Sequence, residues 1–350
     1  MRIYLLSFFL LFSACNVVEE NDDVKKSEIN LLSEKINKNP SNTDYLLDRA
    51  MFNLDKNKHE SALFDLKQCL LIDSLNSEFN FLAAQSYFEI SKYDKTKSEY
   101  GKLALECIKK STDSDQNNHL ALSLHGELNI AYARYKQAID LFNKSLKIEY
   151  NQFKTHHLMG YAFKQLNQHD IAIDCFQNSI SINPIYTQSY IEIGLIYQLR
   201  NDTLTEIYYN NVLDIDSSDI ITLYNLALYY QDNKLYNKAL VTYNKLLVFD
   251  AFNTNTHYNI GFIHMELKLF EIAINNFADA IYSNSVFYQA YYARGVCFET
   301  LGNIAQAEVD YRRAIEINPD YTFAIDALKV LINTNKKYKY EQQSSNDVKS

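Results

Sequence analysis

The strongest constraint on this chain is a repeat of small residues. Gly126, Gly160, Gly194, Ala227, Gly261 and Gly295 follow one another at steps of 34, 34, 33, 34 and 34 residues. Ala50 and Ala84, also 34 apart, extend the series upstream. A second small-residue series trails the first at Ala62, Ala138, Ala172, Ala239, Ala273 and Ala307. In the later copies an aromatic follows four residues on: Phe142, Phe176, Tyr243, Phe277 and Tyr311. A fixed period of this length is the mark of a stacked array in which each copy is one supersecondary element. Apolar residues within a copy recur at helical spacing, as in Ile139, Phe142 and Leu146. The 350 residues contain only 7 Gly and 3 Pro, too few for a fold built on many tight turns. The reading is therefore all-α, a helical solenoid rather than a sandwich, a propeller or a Gly-rich nucleotide fold.

The pattern resembles the tetratricopeptide repeat, a helix–turn–helix unit of this period. The clearest copy is 288–321, with Tyr291, Gly295, Phe298, Ala307, Tyr311, Ala314 and Pro319. The copy at 153–186 carries Met159, Gly160, Phe163, Ala172, Phe176 and Pro184. Eight repeats follow from the register: 43–76, 77–118, 119–152, 153–186, 187–219, 220–253, 254–287 and 288–321. Small residues where two helices cross let the backbones approach, and the aromatics fill the space beside them. The resemblance implies an α-solenoid superhelix of helix-turn-helix units.

Two repeats break the period. The second, 77–118, is eight residues too long, and the polar stretch 111–118 reads as an inserted loop that divides repeats 1–2 (43–118) from repeats 3–8 (119–321). The fifth, 187–219, is one residue short at Arg200-Asn201-Asp202 and has Thr205 where Ala is usual, which predicts a local kink. An N-terminal capping helix is expected within 28–42, ending at Asn39-Pro40, and a C-terminal capping helix over 322–335. The polar residues 336–350 read as a disordered tail.

The N-terminus reads as a processing signal. Met1-Arg2 precedes an apolar run from Ile3 to Phe12, too short to span a bilayer and suited to a secretory signal peptide over 1–14. Leu11-Phe12-Ser13-Ala14-Cys15 resembles the lipobox of bacterial lipoproteins, although Phe12 stands where Leu is usual. That resemblance implies acylation of Cys15 and a lipid-anchored mature chain. Asn16 in place of an Asp favours the outer membrane by the same analogy. Residues 15–27 then form an acidic tether with Glu19, Glu20, Asp22 and Asp23, whose twelve residues after the cysteine reach about 40 Å when extended. Such acidic residues serve as a surface-export signal in some outer-membrane lipoproteins, so both the periplasmic face and the cell surface remain open.

Composition narrows the function. A net charge of −9 argues against a nucleic-acid partner. Cys69, Cys107, Cys175 and Cys297 are widely spaced in apolar helical stretches and read as small core residues. His156, His157, His169 and Cys175 do not make a metal site, because adjacent helix positions point to different faces. No nucleotide, hydrolase or metalloprotease motif occurs. The chain is expected to use no cofactor and to be non-catalytic.

Side chains at the second, fifth, ninth and twelfth places of each repeat face the concave groove in the family. The fifth places of the last five repeats are His157, Ile191, Tyr224, Tyr258 and Tyr292. The ninth places include Tyr161 and Phe262, and Asn225 and Asn259 stand at the sixth. This set is the expected partner groove, able to pack a protein or peptide and bond its backbone. The competing reading has the tyrosines packing between helices in a chain that holds 28 of them. Lys154 occupies a second place, but no Lys or Arg occupies a sixth, so a carboxylate clamp is not expected. The leading function is a lipid-anchored interaction scaffold at a bacterial outer membrane, serving assembly of a secretion, motility or envelope complex. The alternative is a surface glycan-binding lipoprotein, disfavoured by the absence of Trp.

Overall fold

The computed structural model describes residues 29–97 and 99–347, with side chains through Thr334. The expected signal peptide, Cys15 and the acidic tether lie outside the described residues. Eighteen α-helices and no strand occur among those described. The chain divides into two compact units between Tyr186 and Thr187.

The N-terminal unit opens with α1 (29–38). Four helix pairs follow: α2 (Thr43–Asp55) with α3 (His59–Ile72), α4 (Ser77–Tyr93) with α5 (Glu99–Ser114), α6 (His119–Ala131) with α7 (Tyr135–Ile148), and α8 (Phe153–Gln165) with α9 (His169–Ile182). The C-terminal unit holds α10 (Thr187–Leu199) with α11 (Leu204–Ile215), α12 (Ile220–Asp232) with α13 (Tyr236–Phe249), α14 (Thr254–Glu266) with α15 (Phe270–Ser283), and α16 (Tyr288–Thr300) with α17 (Ile304–Ile317). It ends in α18 (Thr322–Asp347).

Local chemistry sets these boundaries. Five first helices begin at side-chain caps: Asn42, Asn76, Asn118, Asp219 and Asn253 each accept a backbone N–H from the first turn. In every pair but α4–α5 the turn inside the pair is a left-handed cap. Asn57, Ala133, Asn167, Asn201, Lys234, Lys268 and Gly302 all have φ between 52° and 79°. The N–H of the next residue closes back on a carbonyl five positions earlier, as in Arg134 N to Asn129 O at 2.8 Å and Leu269 N to His264 O at 2.8 Å.

Packing repeats with the sequence. Phe142, Phe176, Tyr209, Tyr243, Phe277 and Tyr311 on the second helices are fully buried. Five of these rings lie against the glycine of their own first helix. A β-carbon added at Gly126, Gly160, Gly194, Gly261 or Gly295 would stand 2.4 to 2.8 Å from the ring. The period in the sequence is the period of this one contact.

The structure corrects three expectations. The eight extra residues of the second repeat are not an inserted loop at 111–118. Against the usual 13 and 14 residues, α4 has 17 and α5 has 16, and the turn between them is longer by two and includes a 3-10 turn at Lys95–Lys97. Ser111 and Thr112 are buried in the last turn of α5, where Ser77 Oγ donates to Ser111 O at 3.1 Å and Thr112 Oγ1 lies 3.1 Å from His125 Nδ1 of α6. The division therefore falls after the fourth pair and not at this repeat, because the longer helices keep packing onto α6. Residues 336–347 of the expected tail continue α18, a stretch without Pro or Gly that holds three Lys, two Gln and one Glu. In the short fifth repeat the deficit sits in α11, which has 12 residues, and buried Thr205 fills the alanine position.

Candidate partner-binding groove

First helices α4, α6 and α8 pack side by side in the N-terminal unit, and the groove across them has a volume of about 630 Å³. Its apolar lining comes from Phe81 of α4, Leu120 and Leu124 of α6, Phe153 and Leu158 of α8, and Tyr186. Gln85 and Ser123 contribute polar atoms, and Ser123 Oγ lies 2.7 Å from Thr155 Oγ1 across the α6–α8 seam. Leu120 is 53% exposed, so the groove presents apolar surface to solvent.

Three charges cross the groove. Lys92 Nζ donates to Glu89 Oε1 at 2.8 Å and to Glu127 Oε1 at 3.2 Å. The Phe88 ring lies beneath the same ammonium, 4.1 Å from its centroid. Burial and then Glu127 push the Tyr186 hydroxyl above its ordinary range. Lys154, at the start of α8, adds a further charge to the lining.

The residues selected from sequence lie differently. In the N-terminal unit His157 is half-buried, with its ring 5.4 Å from Phe176 and 5.2 Å from Tyr186, and burial lowers its pKa to about 4. Tyr161 is half-buried, with Lys164 Nζ 5.7 Å from its ring centroid. His156 turns inward, where Nε2 meets Tyr150 O at 3.1 Å.

In the C-terminal unit Tyr224, Tyr258 and Tyr292 are half-buried and each meets the second-helix ring of its own repeat. Centroids lie 6.1 Å from Tyr243, 5.5 Å from Phe277 and 5.8 Å from Tyr311. Tyr258 also meets Phe287 edge-on at 5.4 Å, and Tyr292 meets Tyr321 at 5.5 Å. Asn259 is only 9% exposed, and its amide donates to Tyr224 Oη at 3.2 Å and Tyr243 Oη at 2.9 Å. Ile191, Asn225 and Phe262 are half-buried. The ladder is thus a packed seam between helices whose outer edges reach solvent, and Asn259 spends its donors inside it.

Sequence reasoning passed over two features. One is the open groove itself. Carrying the second, fifth and ninth places upstream reaches Leu120, Lys154, Phe81, Ser123, Gln85 and Glu127, all of which line it. The other is a set of buried hydroxyls with matched partners. Tyr209, Tyr243 and Tyr311 donate to Gln198, Gln231 and Glu299 at 2.7, 3.1 and 2.5 Å. Those partners hold the twelfth places, where the Phe-bearing repeats have Ile130, Lys164 and Met265. A buried hydroxyl needs an acceptor and a buried phenyl does not, so the two positions change together.

Of the free cysteines, Cys69, Cys175 and Cys297 are buried and Cys107 is half-buried. No group of three or more His, Cys, Asp or Glu able to hold a metal occurs among the described residues. No described helix is long and apolar enough to cross a membrane.

Comparison with known proteins agrees with this geometry. Models of the tetratricopeptide repeat match residues 153–186 and 288–321. A TPR repeat-containing protein of Methanocaldococcus jannaschii is 24% identical over 230 residues, 59% of this chain and 38% of the relative. The BBSome complex member BBS4 of Bos taurus is 27% identical over 107 residues, 30% of this chain and 20% of the relative. The chain thus spans well under half the length of these relatives. Among solved structures, the C-terminal part of a TPR repeat-containing protein from Cytophaga hutchinsonii superposes with a TM-score of 0.60 at 15% identity, over 66% of this chain and 96% of that one.

Proposed function

We propose, from the premise that this chain is a tetratricopeptide-repeat protein, that it is a non-catalytic scaffold docking an extended segment of a partner protein in the groove across α4, α6 and α8. The observation that carries this reading is the groove's combination of exposed apolar surface at Leu120 with the polar atoms of Gln85 and Ser123. Apolar area supplies binding energy, and the polar atoms bond the backbone of a chain laid across them. A photo-crosslinking residue in place of Gln85 tests it. One partner should form adducts there and none at a matched position replacing Glu271 on α15. Equal labelling at both positions would contradict the reading.

We further propose that the chain is anchored through acylated Cys15 at a bacterial outer membrane, as part of a secretion, motility or envelope assembly. The apolar run ending in Ser13-Ala14-Cys15 supports this, and two or more acyl chains hold a protein far more firmly than one. Cys15→Ala should abolish metabolic lipid labelling and release the protein from membranes. Retention on membranes without label would refute the anchor.

A further inference from the structure

We infer, resting on the groove reading above, that the segment docked across α4, α6 and α8 carries a basic side chain seated on Glu127 and Glu89, flanked by aliphatic residues. Two carboxylates, 29% and 34% exposed, face a single ammonium, so the cluster of Glu89, Lys92 and Glu127 holds one net negative charge inside a groove of mixed polar and apolar lining. Lys92 lies over the Phe88 ring on the α4 side, and its contact with Glu127 is the longer of its two. Glu127 is the carboxylate that acts on Tyr186 from α6. A guanidinium entering here balances the excess charge, and the Tyr186 ring in the lining of the same groove offers a face that suits a planar cation. The aliphatic neighbours of that residue meet Leu120, Leu124 and Leu158. Lys154 also lines the groove, with its Nζ 5.9 Å from the Phe153 ring centroid, while the ion pairs of Glu89 and Glu127 are with Lys92. A docked acidic side chain gains nothing at Glu127 and is repelled there.

Fluorescence anisotropy on the full chain tests this with three end-blocked, labelled nonapeptides that alternate Leu with Arg, Gln or Glu, at about 0.15 M salt, where the screening length is roughly 8 Å. The Leu/Arg peptide should bind at least tenfold tighter than Leu/Gln. Glu127→Gln should cut that preference about fivefold or more, and Glu271→Gln, an equal charge change outside the groove, should leave it unchanged. Tighter binding of Leu/Glu, or a Leu/Arg preference that survives Glu127→Gln, would overturn the inference. Leu120→Gln separates it from the groove reading. Equal binding of all three peptides, lost in Leu120→Gln, keeps the groove and removes the basic guest. Leu/Arg binding indifferent to Leu120→Gln removes both.

Discussion

The Asn259 amide of α14 donates at 2.9 Å to the Tyr243 hydroxyl of the preceding repeat, which itself donates to Gln231 Oε1 at 3.1 Å. A side chain selected from sequence as a groove ligand is thus part of a buried network that joins two repeats. Asn259→Ala leaves the hydroxyls of Tyr224 and Tyr243 without this donor but keeps the Gln231 bond. The expected cost is about 1–3 kcal/mol, read as a fall in denaturation midpoint at unchanged m. Hydrogen exchange should rise around 220–287 first, because stacked repeats touch only their neighbours.

Gly126 admits no β-carbon while Phe142 keeps its place, since the added atom would stand 2.4 Å from the ring. Gly126→Ala should therefore destabilise by roughly 1–3 kcal/mol through overpacking. Adding Phe142→Leu, which removes the ring from the crossing, should make the second substitution cost less than it does alone. A double-mutant cycle in urea measures that coupling, and strict additivity would refute the contact.

His157 gives a pH dependence whose sign is fixed. Burial against Phe176 and Tyr186 lowers its pKa to about 4, below the unfolded value of 6.5. The unfolded chain then binds more protons between these values, so stability rises with pH across the window and is lost as pH falls from about 6.5 to about 4. Burial also lowers His125, His156 and His264, which act in the same direction. His157→Phe should shrink the loss without abolishing it, and NMR titration of the His157 ring should place its midpoint far below those of exposed imidazoles.

The first and last repeats share a fork absent from the other six at the same places. Arg49 grips Asp65 through Nε and Nη2 at 2.9 and 2.7 Å, and Arg294 grips Asp310 at 2.8 Å through both. Each carboxylate is nearly fully buried. Arg294→Ala should cost about 3 kcal/mol, because it strands the Asp310 charge, whereas Arg294→Leu with Asp310→Leu should recover most of that loss. Thermal unfolding of the two variants against the parent chain decides it.

The fold was legible because one contact, a small first-helix residue on a second-helix ring, recurs in repeats 3 to 8. Helix pairs, turns and buried aromatics all follow from that spacing. The extra length of the second repeat was misplaced, since a polar run such as Ser111–Ser114 extends a helix as readily as it forms a loop when Ser and Thr hydroxyls find carbonyls and a neighbouring imidazole. From sequence the tyrosine ladder reads as a binding face for a related reason. The half-buried Tyr258 packs on Phe277 and Phe287, contacts that come into view only once the helices are stacked.

The central claim is that the partner sits in the groove across α4, α6 and α8 and that the tyrosine ladder serves packing. The most direct test compares Leu120→Gln with Tyr258→Ala, reading both melting temperature and capture of the crosslinked partner by immobilised full-length chain. Leu120 is exposed in the first turn of α6, so Leu120→Gln should leave the melting temperature within a few degrees of wild type and weaken capture roughly tenfold, the scale of one lost aliphatic contact. Tyr258→Ala should lower the melting temperature by roughly 5 °C or more and, below that transition, keep capture intact. Unchanged melting with lost capture in Tyr258→Ala, together with full capture in Leu120→Gln, would contradict the account and move the binding face to the ladder.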